Sequence, residues 1–149
     1  MTNRGAVVKE ITDMNLVCQA FNSPNNRPWA SEDGQKVCIP YMPEKILYIG
    51  LSVEGHFAGC VLGIRNTDRL DLHIAYLPIC FGHTVQIGKQ VLKWIGEHYP
   101  TYRTYQARVA QSNHMAREYV LKCGFRLIRL RPDGWIGGIA EYEIEVSDG

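Results

Sequence analysis

The chain has 149 residues, 46% of them hydrophobic and 21% charged, with a formal net charge of +1. That is one domain's worth of ordinary globular protein, large enough to bury a core without disulfide or metal staples, and its near-neutral charge excludes an obvious nucleic-acid or anionic-membrane surface. No apolar run reaches the ~20 residues that cross a bilayer. Cys18, Cys38, Cys60, Cys80 and Cys123 lack the paired spacing of zinc or thioredoxin-like centres, and with no apolar leader in view the reading is of free cysteines in a cytoplasmic protein.

Residues 5–11 carry alternating apolar positions and predict a first strand. Thr12 or Asp13 then caps a helix ending at Phe21, with Met14, Leu16, Val17 and Ala20 inward. Residues 22–34 contain Ser23-Pro24-Asn25-Asn26 and Pro28-Trp29-Ala30-Ser31, too many turn formers for a regular element, and predict a loop anchored by Trp29 with one helical turn over 29–33. Residues 46–53 and 56–64 read as two strands around a Glu54-Gly55 turn, and 70–77 as a third, with Asp71 and His73 on one face and Leu72 and Ile74 on the other. Pro78 stops that strand.

A long helix follows over 84–98, with Val85, Gly88, Val91, Leu92 and Ile95 on its inner side, and Tyr99-Pro100 ends it. Residues 101–109 alternate as a strand. From Ser112 or Asn113, Met115, Ala116, Tyr119, Val120 and Cys123 make one helical stripe, which Gly124 terminates before Phe125 folds back onto the last turn. Strands over 125–130 and 139–146 complete the chain, joined by a loop opening with Arg131-Pro132-Asp133-Gly134.

The order strand, helix, loop, three-strand meander, long helix, strand, then an Asn-x-x-Ala helix ending in Gly-Phe (Asn113, Ala116, Gly124, Phe125) resembles the GNAT superfamily of acyl-coenzyme-A-dependent N-acyltransferases over nearly the whole chain. The resemblance implies one α+β domain over residues 1–149, built on a mixed, splayed seven-stranded sheet flanked by helices. It also implies an acyl-CoA, acetyl-CoA above all, lying between the fourth and fifth strands with its pyrophosphate on the N-terminus of the long helix.

A helix N-terminus suits a pyrophosphate on physical grounds alone, through its unpaired amides and positive dipole end. The family's Gln/Arg-x-x-Gly-x-Gly/Ala loop corresponds here to residues 78–89, where Gly82 and Gly88 do not keep the family spacing. Gly82, His83 and Thr84 remain candidate phosphate ligands, joined by Lys89 one turn on; they read equally as a turn glycine, helix-start residues and a solvated lysine. Amides near Leu77, Ile79 or Cys80 are candidates to polarise the thioester carbonyl, and Asn113 is the family's helix asparagine.

Where the family places a tyrosine to protonate the leaving thiolate, this chain has Val120, with Tyr119 one residue earlier and about 100° around the helix. Tyr119 is thus a candidate acid or a packing residue. Asp71 and His73 are the titratable groups best placed to act as base, and residues 22–41, with Trp29 and Tyr41 as walls, are expected to shape the acceptor pocket. No Walker loop, dinucleotide glycine triplet, serine elbow or metal-binding helix is present.

Two functions follow. One is N-acyl transfer from acyl-CoA to a small-molecule or peptide amine. The other is a GNAT-shaped assembly component without turnover, because small phage-encoded GNAT-like proteins tied to head assembly share the chain's size and worn loop. A homodimer or larger assembly is expected as a partner state, and nucleic acid and membrane are not.

Overall fold

The computed structural model describes residues 5–146. In chain order the elements are β1 (Val7–Glu10), α1 (Met14–Phe21), α2 (Arg27–Ala30), β2 (Ile46–Val53), β3 (His56–Asn66), β4 (Arg69–Tyr76), α3 (Thr84–His98), β5 (Thr104–Ala110), α4 (His114–Lys122), β6 (Arg126–Arg131) and β7 (Ile139–Glu145). The strands form one sheet in the order β1-β2-β3-β4-β5-β7-β6. All neighbours pair antiparallel except β4 and β5, which run parallel. This is the mixed, open α+β sheet that the order of elements predicts.

The hydrophobic pattern explains the layering. Leu70, Leu72 and Tyr76 of β4, with Tyr105, Ala107, Ala140 and Tyr142, join Ile87, Val91 and Ile95 of α3 and Val120 and Cys123 of α4 in one core. On the opposite face a smaller core gathers Val17, Ala20 and Phe21 of α1 against Tyr48, Cys60, Leu62 and Ala75. No described residue of β5, β6 or β7 enters that second core, so α1 covers only the first half of the sheet. Strand alternation therefore turns Asp71 and His73 to the α1 side and Leu72 and Tyr76 to the α3 side.

One backbone contact needs glycine. Gly59 of β3 has φ +133°, and a Cβ built there would lie 2.2 Å from the carbonyl oxygen of Ala75. The close approach of β3 to the end of β4 depends on its absence.

Several local expectations change. The short helix occupies Arg27–Ala30 rather than 29–33, and Trp29 is 44% exposed instead of anchoring its loop. Polar contacts hold that segment: the Asn22 side chain bonds both backbone groups of Val37, and Asn25 and Asn26 reach Tyr76. Met115 is 84% exposed, so the inward stripe of α4 begins at Ala116. Gly124 adopts φ +106° after α4, and the Phe125 amide donates to the Val120 carbonyl at 3.1 Å, closing the helix as expected. All five cysteines are free, and three of them are buried.

Candidate functional site

The sheet opens where its only parallel pair stops. β4 and β5 are in register from Arg69↔Thr104 to Leu72↔Ala107 and no further. β5 continues beside β7 to Ala110, while β4 stays with β3 to Tyr76. Residues 73–76 and 108–110 therefore flank a gap. The Leu77 amide donates back to Ala58 of β3, and backbone groups alternate along a strand. By that alternation the amides and carbonyls of Ile74 and Tyr76 turn toward the gap.

Beyond β4, Pro78–Cys80 form a single 3-10 turn, Gly82 takes φ +87°, and α3 begins at Thr84 behind His83. His83 makes no side-chain cap on this 15-residue helix, and its own amide donates to the Cys80 carbonyl at 2.9 Å. A Cβ at Gly82 would meet nothing within 4 Å. The predicted ligands Leu77, Ile79, Cys80, Gly82, His83 and Thr84 are thus gathered at the mouth of the gap, with Lys89 exposed one turn along α3. Of the candidate polarising amides, those of Leu77 and Cys80 already donate, at 2.9 Å each, to the carbonyls of Ala58 and Leu77. The Cys80 thiol donates to the Ala58 carbonyl at 3.2 Å, and burial pushes its pKa up to about 11.

Tyr76 connects the elements around the gap. Its hydroxyl donates to the Thr84 carbonyl at 3.2 Å and meets the Tyr119 hydroxyl at 2.5 Å. The two rings pack edge to face with centroids 5.7 Å apart. Its backbone carbonyl accepts from Asn25 at 2.9 Å and Asn26 at 2.8 Å. Burial raises the pKa of both phenols, so both are protonated at neutral pH. Tyr119 also sits over Gly88, where a Cβ would come within 2.4 Å of its hydroxyl and 2.8 Å of the Cys123 sulfur.

Asn113 is the N-cap of α4, its Oδ1 accepting from the Ala116 amide at 3.2 Å. Val120, at the family's tyrosine position, is buried in the main core. Phe81 is 52% exposed, and Tyr105 lies toward Gly96, well along α3.

His73 is the first β4 residue past the last rung shared with β5, on the α1 face. Surrounding protein lowers its pKa by desolvation, Asp71 opposes that shift and Arg108 adds to it. Asp71 is fixed by two bonds from Arg69, the shorter 2.8 Å, and one from Asn66 at 2.7 Å. Tyr119 lies on the other face, so the fold separates it from His73 and Asp71 by the thickness of the sheet.

The α1–β2 segment, expected from the sequence to shape an acceptor pocket, contributes to two grooves. A groove of ≈ 540 Å³ is lined by Asn22, Ser23, Pro24, Lys36 and Leu77 among others, and a second brings Ser31, Glu32 and Asp33 beside Ile136 of the β6–β7 loop. Trp29 and Tyr41 line neither; Tyr41 stacks on Tyr48 at 5.4 Å. Sequence reasoning missed the charged rows on the bare face of β5, β7 and β6. There the buried Glu141 faces Arg108, Arg129 and Arg131 at 2.9, 3.4 and 3.6 Å, and Gln106 sits beside Glu143. Alternation of polar or charged with apolar residues in 104–108 and 139–145 was the available signal. Among the described residues no group of three or more potential ligands could hold a metal ion, and no helix is long and apolar enough to cross a membrane.

No protein-family model and no curated protein matches the sequence. Solved structures do match. The chain is similar to a spermidine N-acetyltransferase from Vibrio cholerae in complex with CoA and spermine, with TM-score 0.73, 14% identity, and 94% of this chain and 95% of that one covered. It is similar to an aminoglycoside N(6')-acetyltransferase from Legionella pneumophila, with TM-score 0.73, 11% identity, and 97% and 94% covered. A GNAT-family protein from Desulfovibrio desulfuricans gives TM-score 0.70 at 15% identity, with 95% and 99% covered. With the parted parallel pair and the uncapped helix beside it, these likenesses establish that the chain has the fold of the GNAT acetyltransferases.

Proposed function

We propose that this protein is an acyl-CoA-dependent N-acyltransferase, with acetyl-CoA as donor and an amine as acceptor. The observation that carries the reading is the gap that opens past Leu72 and Ala107 directly beside the uncapped start of α3. Coenzyme A fits that arrangement in both parts. Uncapped amides at a helix N-terminus suit its pyrophosphate, and a strand edge with no partner suits an extended arm that carries amide groups. The spermidine N-acetyltransferase it resembles was solved with CoA and spermine, which supports the same assignment.

The donor supplies a thioester, and the chain supplies position, polarisation and proton transfer. The backbone amides of Gly82, Thr84 and Val85, with Lys89 nearby, hold the pyrophosphate. Gap-facing amides of Ile74 and Tyr76 donate to the thioester carbonyl, stabilising the oxyanion that develops there. His73, exposed on the α1 face with its pKa lowered, accepts a proton from the acceptor ammonium directly or through water, which frees the amine lone pair to attack the thioester, with Asp71 tuning it. Tyr119 belongs to a protonated hydroxyl pair with Tyr76 and is the nearest phenol on α4 to supply the thiolate's proton. Asn113 holds the start of α4 in place through its cap.

Acetyl-CoA is expected to raise the melting temperature in a concentration-dependent way, since a ligand bound only by the native state stabilises it by mass action. No shift at millimolar acetyl-CoA overturns the proposal. It would favour the second reading, a GNAT-shaped assembly component, which the irregular glycine spacing of the 78–89 loop supports.

A further inference from the structure

Gln106 carries a polar atom that the fold does not use. It lies on β5 opposite Asp71 of β4 and Glu143 of β7, one rung below the last β4–β5 pair, on the same face as His73. The residue is only 6% exposed, and its Oε1 is buried with no hydrogen-bond partner among the described residues. An orphaned buried acceptor costs about 1–3 kcal/mol, and native structures hold few of them without a reason.

The donors around it are committed. Its own Nε2 faces Glu143 at 3.5 Å, which turns Oε1 away from β7. Arg69 and Asn66 bond Asp71, and Arg108 bonds Glu141. None of the described residues reaches Oε1, which leaves it for a donor from outside the chain. Two carboxylates flank the position, and Glu143 is only loosely neutralised, its nearest guanidinium nitrogen on Arg126 standing 4.0 Å away. That setting selects a protonated nitrogen over a hydroxyl.

Two residues along a strand span about 7 Å, the distance from Gln106 to the level of the opening. We propose that Gln106 determines acceptor specificity, its Oε1 receiving a hydrogen bond from a second, protonated nitrogen of a diamine whose first amine reacts at the gap. The position is flanked by the half-exposed Arg69 bonded to Asp71 on one side and by the exposed Arg126 beside Glu143 on the other. The inference rests on the acyltransferase reading, and its test separates the two.

Release of the CoA thiol from acetyl-CoA is measured with 1,4-diaminobutane and with n-butylamine, which share a chain length and differ in one nitrogen. The wild-type protein should prefer the diamine in kcat/KM by about tenfold or more, the scale of one charge-assisted hydrogen bond. Gln106→Met, which keeps the volume and removes the acceptor, should bring that ratio close to one. Gln106→Glu, which keeps an acceptor at the same reach, should retain it. Acetyl-CoA thermal shifts on all three proteins report folding and donor binding independently. Equal ratios in the wild type and Gln106→Met, no diamine preference in the wild type, or no turnover of either amine overturns the inference. A preserved acetyl-CoA shift in any of those cases leaves the donor assignment standing.

Discussion

The hydroxyls of Tyr76 and Tyr119 meet at 2.5 Å, tying the strand on one side of the gap to the helix on the other. Tyr76 also donates to Thr84 at the start of α3, and its carbonyl receives two side-chain amides from the loop after α1. One residue at the end of β4 thereby ties together α3, α4 and the loop after α1 around the opening. A phenol pair held in this way is costly to disturb, because each hydroxyl is the other's partner in a buried setting.

Gly88 makes room for that pair. Gly88→Ala places a methyl group 2.4 Å from the Tyr119 hydroxyl and 2.8 Å from the Cys123 sulfur. Overpacking of this kind costs about 1–3 kcal/mol, which outweighs the gain of about 1 kcal/mol from alanine's helix propensity. Urea unfolding should show the loss, and Gly88→Ala combined with Tyr119→Phe should recover part of it. Strict additivity of the two changes would show that the hydroxyl is not what the methyl group meets.

His73 should set the acid limb of the rate profile. Its folded pKa is lowered, chiefly by desolvation, so the neutral, proton-accepting form persists below the ordinary histidine value of about 6.5. The kcat/KM profile should fall only below that pH, and the limb should vanish in His73→Asn. The sign for stability is the same: a depressed histidine pKa contributes stability above the unfolded value that is lost as pH falls through the folded one. A limb unchanged in His73→Asn removes the residue from the mechanism.

The architecture was legible because it rests on period and punctuation. The apolar run over 46–53, the alternation over 70–77, the stripe of α3, and the Gly124-Phe125 stop each depend on local chemistry that sequence displays. The site was less legible because it depends on which backbone groups lack partners. That the Leu77 amide is already used, while Ile74 and Tyr76 face the gap, follows from a register with β3 that no local pattern encodes. Trp29 and Met115 went astray for a related reason: an apolar residue on a helical stripe is buried only where another element arrives to cover it.

Gly59→Ala tests whether the end of β4 must approach β3 as closely as it does. The added Cβ would stand 2.2 Å from the Ala75 carbonyl oxygen, in a backbone conformation at φ +133° that side chains rarely adopt. Clash and strain together should cost about 3 kcal/mol or more. Thermal unfolding measures it, and a loss under about 1 kcal/mol would mean that β3 relaxes freely there.

Asn26 and Asn25 should contribute unequally to the same end of β4. Asn26 Nδ2 reaches the Ala20 carbonyl at 2.9 Å, the Ser23 hydroxyl at 3.0 Å and the Tyr76 carbonyl at 2.8 Å. Asn25 donates to Tyr76 alone, at 2.9 Å, and accepts from Ser23. Because the Tyr76 carbonyl keeps one donor when either asparagine is removed, each single change should be mild at that atom. Asn26→Ala, which also takes a donor from the Ala20 carbonyl and the Ser23 hydroxyl, should cost about 1–2 kcal/mol and Asn25→Ala about half as much. The double variant leaves the Tyr76 carbonyl without its side-chain donors and should exceed the sum of the two. Limited proteolysis within 31–45 should follow the same ranking, since these contacts, with the Asn22–Val37 and Cys18–Ile39 pairs, pin the segment's start. Equal losses from the two single variants would show that the shared Tyr76 carbonyl, rather than Asn26's wider set of partners, carries the attachment.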